Sequence, residues 1–298
     1  MDEPTRLPEG IHPGVPEAVY HADPCETPSA SSSILRIILD QSPEHAKFNH
    51  PRLNPAFEAE PSTTAQSNGT ILHSLILETP APYRVLDVKA YQSNEAKALR
   101  DATLADGLLP VKAGDMEELQ DVASSLRARI ATMPDIAKAI AAAQKEATCI
   151  WRRDGVLVRC RFDILPPKEF GFTGDLKFTS RSAEPEGFSK KIATDYAMQG
   201  ALYPSALKAL RGDEPEFLFF ACETDPPYGV SLHGLSPALE DMAGEKVNRA
   251  LDIWARCLKS GKWPGYPREV FYADPVPWEM ARWETWKGQR ELLKDHNA

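Results

Sequence analysis

The segment VLVRCRFDIL at residues 156–165 is followed by FGFTGDLKF at residues 170–178. The first segment alternates with the period of a β-strand. Its apolar face comprises Val158, Cys160, Phe162 and Ile164, and its polar face comprises Arg159, Arg161 and Asp163. In the second segment Asp175 and Lys177 share a face because they lie two residues apart. We therefore expect two adjacent strands that carry two carboxylates and a lysine.

The flanking sequence predicts a mixed set of helices and strands around these two segments. Residues 147–153, with Asp154-Gly155 as a turn, pair with the first segment as a β-hairpin. Further strands are predicted at 216–223 and 228–233, and a loop is predicted at 50–64. Helices are predicted at 31–39, 65–78, 93–106, 114–143 with a break at Pro134, 185–210, 237–260 and 278–294. The order helix, three strands, helix, strand indicates an α/β class with a helical N-terminal elaboration.

The chain divides into three regions by composition. Residues 1–30 are rich in proline, glutamate and small polar residues, which predicts an extended or loosely packed N-terminal arm. Residues 31–266 are expected to form the main folded domain. Residues 267–298 are expected to form a tryptophan-rich tail with a final helix that packs on the same domain.

Bulk composition excludes several classes of protein. The five cysteines lack the CxxC spacing of zinc and iron–sulfur sites, and they are typical of reduced thiols in a cytosol. No apolar run is long enough to cross a membrane, and the first residues lack the pattern of a signal peptide. The formal net charge of -9 argues against broad coating of nucleic acid. A local groove remains compatible with that charge, because residues 151–191 contain nine Lys/Arg and six Asp/Glu, a local balance of +3.

The acid-x-lysine triplet is weak evidence alone, since it also occurs at residues 87–89 and 95–97. Only Asp175-Leu176-Lys177 follows a strand that already carries a carboxylate, Asp163. A structural ion pair explains this spacing equally well. Alternatively, the two carboxylates bind Mg²⁺, and the lysine orients a water for attack on a phosphodiester.

Three other groups could complete a site, and each has a structural explanation. His73 lies on a mainly apolar helix, where a packed histidine is commoner than a metal ligand. Gln199 and Tyr203 are four residues apart on one helix face, which is also the pattern of a polar helix edge. The serines at 31–33 begin a helix, where they either cap it or bind a phosphate.

Taken together, these residues resemble the PD-(D/E)xK nuclease superfamily, and within it the catalytic domain of exodeoxyribonuclease VIII (RecE-type). The resemblance runs from about residue 20 to residue 266. Its motifs, in order, are the serine-rich helix start with Ser42-Pro43, Gly69-Thr70-x-x-His73, Arg159-Cys160-Arg161-x-Asp163, Asp175-x-Lys177-x-Thr179 and Tyr196-x-x-Gln199-x-x-x-Tyr203. It implies a restriction-endonuclease-like core, with a mixed central sheet flanked by helices.

The resemblance also implies roles for individual residues. The metal ligands would be His73, Asp163, Asp175 and the Leu176 carbonyl, holding Mg²⁺ or Mn²⁺ as two ions. Lys177 would position the attacking water, and Gln199 with Tyr203 would complete the motif of the nuclease helix. Candidate contacts to DNA or its phosphates are Ser33, Arg161, Thr179 and Glu146, of which Glu146 matches an acidic position of the family.

By this resemblance the substrate is the end of double-stranded DNA, digested 5′→3′ to leave a 3′ strand for recombination. The expected assembly is a ring-shaped homo-oligomer, with a single-strand annealing protein as partner, in the cytoplasm of a bacterial or phage-infected cell. A structure-specific or sequence-specific endonuclease and a catalytically silent DNA-end-binding protein are the alternatives. Cleavage of closed circular DNA distinguishes the first, and EDTA-insensitive binding without product distinguishes the second.

Overall fold

Two sheets and a set of surrounding helices make up the computed structural model, which describes residues 6–58 and 63–295. The strands are β1 (Gly10–His12), β2 (Tyr83–Leu86), β3 (Leu109–Lys112), β4 (Gln144–Arg153), β5 (Val156–Leu165), β6 (Phe172–Thr179), β7 (Glu216–Glu223) and β8 (Val230–His233). The helices are α1 (Glu17–His21), α2 (Ser32–Asp40), α3 (Pro43–Phe48), α4 (Thr64–Leu77), α5 (Asn94–Ala105), α6 (Ala113–Ala131), α7 (Pro134–Ala142), α8 (Pro185–Lys191), α9 (Ala197–Arg211), α10 (Pro237–Ser260) and α11 (Pro277–Asp295).

The central sheet has the order β1-β4-β5-β6-β7-β8. Its β6–β7 pair is parallel and its other pairs are antiparallel, so the sheet is mixed. One face packs against α2, α3, α9 and α10 in a core cluster that we call the first core, and the other face packs against α4 and α6 in the second core. The predicted α/β class, with a mixed central sheet flanked by helices, is confirmed.

The β4–β5 hairpin follows from its turn residues. Arg153 pairs with Val156, so Asp154 and Gly155 form a two-residue loop. Both have positive φ, 50° and 82°, as a type I′ turn requires. The predicted hairpin and its turn are therefore confirmed, with β4 beginning three residues earlier than expected, at Gln144.

The alternation of β5 breaks at Asp163. Phe162 lies in the first core as predicted, but Ile164 lies in the second core, so the prediction of one common apolar face was wrong for Ile164. The residue across the hairpin, Glu146, has a φ of 52°, in the left-handed region that a glutamate rarely adopts. The flanking residues on β4 still pair in register, so the distortion is confined to the Glu146–Asp163 position.

The described part of the N-terminal arm, residues 6–30, is anchored at two places. Its strand β1 pairs with β4, and Asp23 is fully buried beside Ser29, His50 and Arg159. Asp23 accepts a 2.7 Å hydrogen bond from the Ser29 hydroxyl, and its carboxylate lies 3.3 Å from both His50 Nε2 and Arg159 Nη1. An extended or loosely packed arm is therefore not what the structure shows at these two anchors, because local composition does not reveal contacts with residues far along the chain. Residues 1–5 of the arm lie outside the described residues.

The described residues fall into two compact units, divided between Gly265 and Tyr266. The second unit contains α11 and corresponds to the predicted tail, and its packing on the main domain stays a prediction. Part of the predicted 50–64 loop, residues 59–62, lies outside the described residues, as do residues 296–298. Within the described chain we find no helix that is both long and apolar enough to cross a membrane.

Candidate metal centre

Strands β5 and β6 diverge in the middle of the central sheet. Their described residues are bridged at a single pair, Ile164 and Gly174, and we call the divergence beyond this pair the fork. Asp163 lies at the fork on β5, and Asp175 lies there on β6; their relative exposures are only 8% and 5%. The Leu176 backbone N–H donates to Asp163 Oδ2 over 2.7 Å, in place of a main-chain hydrogen bond between the two strands. The fork therefore brings the two predicted carboxylates together in a buried position.

Lys177 contacts the Asp175 carboxylate from β6. Its Nζ lies 2.5 Å from Asp175 Oδ2, and the Gln199 side-chain amide donates to Asp175 Oδ1. Gln199 therefore supports the carboxylate partner of Lys177.

His73 is brought to the fork by α4, which packs through Ile71 and Leu72 in the second core. Its Nδ1 lies 3.4 Å from Asp163 Oδ2, and its ring meets Phe178 edge-on with centroids 5.0 Å apart. This nitrogen is buried and has no hydrogen-bond partner among the described residues. A buried polar atom is rarely left unpaired, so the imidazole is arranged for a partner that the described residues do not supply.

Glu146 completes a group with His73 and Asp163. One ligand atom from each of the three lies within 4.8 Å of the others. The left-handed backbone at Glu146 places its carboxylate there, and Arg161 Nε lies 2.5 Å from Glu146 Oε2. Sequence reasoning grouped Glu146 with the DNA contacts, whereas the structure groups it with the candidate metal ligands.

Burial and neighbouring charges shift the pKa values of the site residues. Burial and the charge of Asp175 raise the pKa of Asp163 well above its usual range. Burial and the charge of Asp163 raise the pKa of Glu146 to about 7. Burial lowers the pKa of His73, which favours the neutral imidazole that ligates metals. Burial alone would lower the pKa of Lys177, but the charges of Asp175 and Asp163 raise it, so its ammonium stays charged.

The donor set fits a divalent cation. Two carboxylates and a neutral imidazole within a few ångströms are common ligands of divalent metals, and carboxylate oxygens suit Mg²⁺ and Mn²⁺. A bound cation would also relieve the repulsion that raises the pKa values of Asp163 and Glu146. The residues present therefore fit a metal.

Tyr203 lies behind the fork, in the first core. Its ring packs edge-on against Phe162 and Phe217, each with centroids 5.2 Å away, and its hydroxyl interacts with Ser32 at the start of α2. Burial raises its pKa well above the usual range, so the hydroxyl stays protonated. These contacts connect α9 to α2, and the charge of Asp175 also acts on the Tyr203 hydroxyl.

The remaining candidates are held by local contacts. Ser33 is exposed, with its Oγ 2.9 Å from that of Ser31, the residue that caps α2. Thr179 Oγ1 accepts from the Arg181 N–H over 3.0 Å at the end of β6. The side chain of Leu176 is buried in the second core, while its backbone borders the fork.

Sequence reasoning missed Glu17, which α1 brings into the electrostatic environment of the site. The hydrogen bond with His21 lowers its pKa against the opposing effect of burial, and the charges of Arg161 and His73 lower it further. No sequence signal pointed to this carboxylate, because residues 1–30 were interpreted as a loose arm.

Comparison with known proteins places this chain in a family. Residues 31–274 match the family described as "PDDEXK-like domain of unknown function (DUF3799)". The chain belongs to this family. Membership in the PDDEXK-like family supports a nuclease of the PD-(D/E)xK superfamily, whose members generally use divalent metals.

One solved structure shows the same fold as this PDDEXK-like protein. It is the crystal structure of a protein from Eubacterium rectale described as a "putative exonuclease". The TM-score is 0.51 at 15% sequence identity, over 85% of this chain and 92% of that chain. At this identity the likeness shows the fold alone. No curated protein matches the sequence.

Proposed function

We propose that this PDDEXK-like protein is a metal-dependent exonuclease of the RecE type that acts on the ends of double-stranded DNA. It digests one strand 5′→3′ and leaves a 3′ single strand for recombination. The observation that carries the proposal is the convergence of His73, Glu146, Asp163, Asp175 and Lys177 at the fork. The exonuclease activity and its direction rest on the motif resemblance, and the superfamily membership supports the chemistry.

His73, Glu146, Asp163 and Asp175 would hold Mg²⁺ or Mn²⁺, in our proposal as two ions, with the Leu176 carbonyl nearby. When bound, such ions lower the pKa of a water to make a nucleophile at neutral pH and neutralise the leaving oxygen. Lys177 orients the attacking water, because its ammonium is fixed against Asp175. Gln199 holds the Asp175 carboxylate in the orientation that this contact needs.

DNA would be bound through local positive charge, since the formal net charge of the chain is -9. We propose Arg161, Thr179 and Ser33 as contacts to the DNA phosphates. A ring-shaped homo-oligomer would concentrate such contacts in a central channel. A single-strand annealing protein and the cytoplasm of a bacterial or phage-infected cell belong to the same proposal.

The test is digestion of an end-labelled linear duplex with Mg²⁺. We expect shortening from each 5′ end, loss of activity in EDTA, and a rate lower by about 10²–10⁴-fold in Lys177→Ala and Asp175→Ala. Lys89→Ala is the matched control, because Asp87-Val88-Lys89 repeats the triplet and Lys89 is exposed. Its rate should equal that of the wild type.

Two outcomes would replace this proposal. Cleavage of closed circular DNA at a rate similar to that of linear DNA indicates an endonuclease of the same superfamily. Binding of DNA ends without product, unaffected by EDTA, indicates a DNA-end-binding protein. A native mass equal to one chain would contradict the ring.

A further inference from the structure

The ring of Tyr196 lies close to two lysine ammonium groups. Lys177 Nζ is 4.6 Å from the ring centroid, and Lys191 Nζ is 5.4 Å from it. The ring itself packs on Phe219, with centroids 6.0 Å apart. Lys191 is half-exposed and already paired with Asp195 at 2.6 Å, whereas the Lys177 side chain is only 19% exposed. The ring therefore contacts both the lysine of the candidate site and the lysine of a surface ion pair.

A π-helical turn at Ile192–Tyr196, between α8 and α9, puts the ring in this place. A π-turn inserts a residue into an α-helix and rotates the rest of that helix by about 100° relative to an uninterrupted one. The Asp195 carbonyl in this turn accepts a 3.1 Å hydrogen bond from Arg36 Nη1 on α2. As a result Tyr196 faces Lys177, while Gln199 on the following turn faces Asp175.

We propose that Tyr196 is a positioning residue for Lys177, an inference that rests on the proposed nuclease function. Within the described chain the ammonium has one carboxylate contact, to Asp175 Oδ2. A cation bound at the site would also be coordinated by the Asp175 carboxylate, and this would weaken the ion pair between Asp175 and Lys177. The face of the Tyr196 ring attracts the ammonium independently of Asp175, so it keeps Lys177 at the fork when the carboxylate is shared.

The hydroxyl of Tyr196 has no part in this contact, because the attraction comes from the ring face. Tyr196→Phe should therefore behave as the wild type, and Tyr196→Leu should not. A partly desolvated cation–π contact corresponds to a factor of roughly 2- to 30-fold in rate. We expect Tyr196→Leu to lower kcat by about 10-fold with KM for DNA nearly unchanged. Tyr91→Leu is the matched control, since Tyr91 also makes a cation–π contact: Arg100 Cζ lies 5.9 Å from its ring centroid.

A second readout needs neither metal nor activity. Acetylation of lysines by a mild acylating reagent, followed by peptide mass spectrometry, measures the accessibility of each ammonium in the metal-free protein. Lys177 should react several-fold faster in Tyr196→Leu than in the wild type or Tyr196→Phe. Lys89 is exposed in all of them and calibrates the labelling. Tyr196→Met replaces Tyr196→Leu should the latter lower the melting temperature.

The outcomes separate the two proposals. Unchanged kcat and unchanged Lys177 labelling in Tyr196→Leu and Tyr196→Met, with Lys177→Ala inactive, would overturn the role of Tyr196 and leave the nuclease intact. If Tyr196→Phe lowers kcat as much as Tyr196→Leu does, the proposed role of the ring is also overturned, because the hydroxyl would then be the group that acts. Equal activities of the wild type and Lys177→Ala would remove the nuclease proposal, and the labelling would still decide whether Tyr196 holds the lysine.

Discussion

The Leu176 backbone N–H donates to the Asp163 carboxylate over 2.7 Å, across the fork where β5 and β6 stop pairing. The carboxylate thus occupies the place of a main-chain acceptor that the diverging strand no longer provides. Asp163 is at once a candidate metal ligand and a structural bridge between two central strands. The two roles can be separated by experiment.

Asp163→Ala and Asp163→Asn should differ in stability but not in activity. Alanine leaves the Leu176 N–H buried without an acceptor, which should lower the free energy of unfolding by about 1–3 kcal/mol. Asparagine keeps an acceptor oxygen, and the raised pKa of Asp163 indicates that the metal-free site tolerates an uncharged group. Urea unfolding in EDTA measures the difference. Equal destabilisation by both substitutions would show that the bridge contributes nothing, and both variants should be inactive.

Metal binding near neutral pH should release protons. Because the pKa of Glu146 is raised to about 7 in the metal-free protein, its carboxyl is partly protonated at pH 7 and must ionise to bind a cation. Metal affinity should therefore fall as the pH falls below about 7. Calorimetric titration with Mn²⁺ in two buffers of different ionisation enthalpy reports the protons released. Glu146→Gln should reduce that number, and identical enthalpies in the two buffers for the wild type would contradict the prediction.

Asp23 should contribute stability that is lost in acid. Burial alone would raise its pKa, but the hydrogen bond with His50 and the charge of Arg159 hold that pKa well below the usual range. A depressed pKa in the folded state stabilises the protein above the unfolded pKa of about 4, and this contribution disappears as the pH falls through the folded value. Asp23→Asn should lower the free energy of unfolding by about 3 kcal/mol at pH 7, with a smaller difference at pH 3.

The control for Asp23 is Asp40→Asn, because Asp40 is 65% exposed and pairs with Arg36 on the surface. Its effect should stay below about 0.5 kcal/mol. Urea unfolding at pH 7, 5 and 3 compares the two variants. If the free energies of unfolding of Asp23→Asn and the wild type differ by the same amount at all three pH values, the ionisation of Asp23 does not contribute to stability as predicted.

Gly174 should not tolerate a side chain. A Cβ at this position would lie 2.5 Å from the Phe220 ring on β7, at the residue that pairs with Ile164 at the mouth of the fork. Gly174→Ala should therefore lower the free energy of unfolding by about 1–3 kcal/mol. Gly114→Ala is the matched control, since a Cβ there meets nothing within 4 Å and alanine favours the helix α6. If both glycine variants unfold at the same urea concentration as the wild type, the close approach is unimportant.

Local patterns were sufficient to predict most of the elements. The helix at 237–260 matches α10 at both ends, because Ser236 caps it and Gly261 ends it in the left-handed conformation. The two-residue turn at Asp154-Gly155 needs positive φ, which these residue types accept. Such signals lie within a few residues of the structure that they determine, so a single sequence reveals them.

The features that the sequence did not predict depend on contacts between distant parts of the chain. Asp23 is anchored by Arg159, 136 positions away, and nothing near Asp23 indicates this. Ile164 lies in the other core next to the position where Glu146 has a left-handed φ, and glutamate is not a residue type that predicts that conformation. Tyr203 shares a helix face with Gln199, yet one turn further along the helix that face meets the aromatic rings of the first core.

For the candidate site, the spacing of residues identified Asp163, Asp175 and Lys177 but left the ion-pair explanation open. His73 was placed by the family resemblance rather than by any pattern on its own helix. The structure brings it within 3.4 Å of Asp163. Only the three-dimensional structure shows that Glu146 lies beside His73 and Asp163, because the direction of its side chain depends on the distorted backbone.

Strand β1 covers the outer side of β4, residue for residue at positions 148–150. With β1 in place, the edges of the central sheet are strands of three and four residues, which are too short to recruit another molecule efficiently. A recombinant fragment that starts at residue 31 would remove this cover from residues 148–150 and leave the whole ten-residue β4 as an open edge. Such a fragment should accumulate as insoluble aggregate in an expression host, so a soluble shortened protein must keep the segment from residue 6 onward.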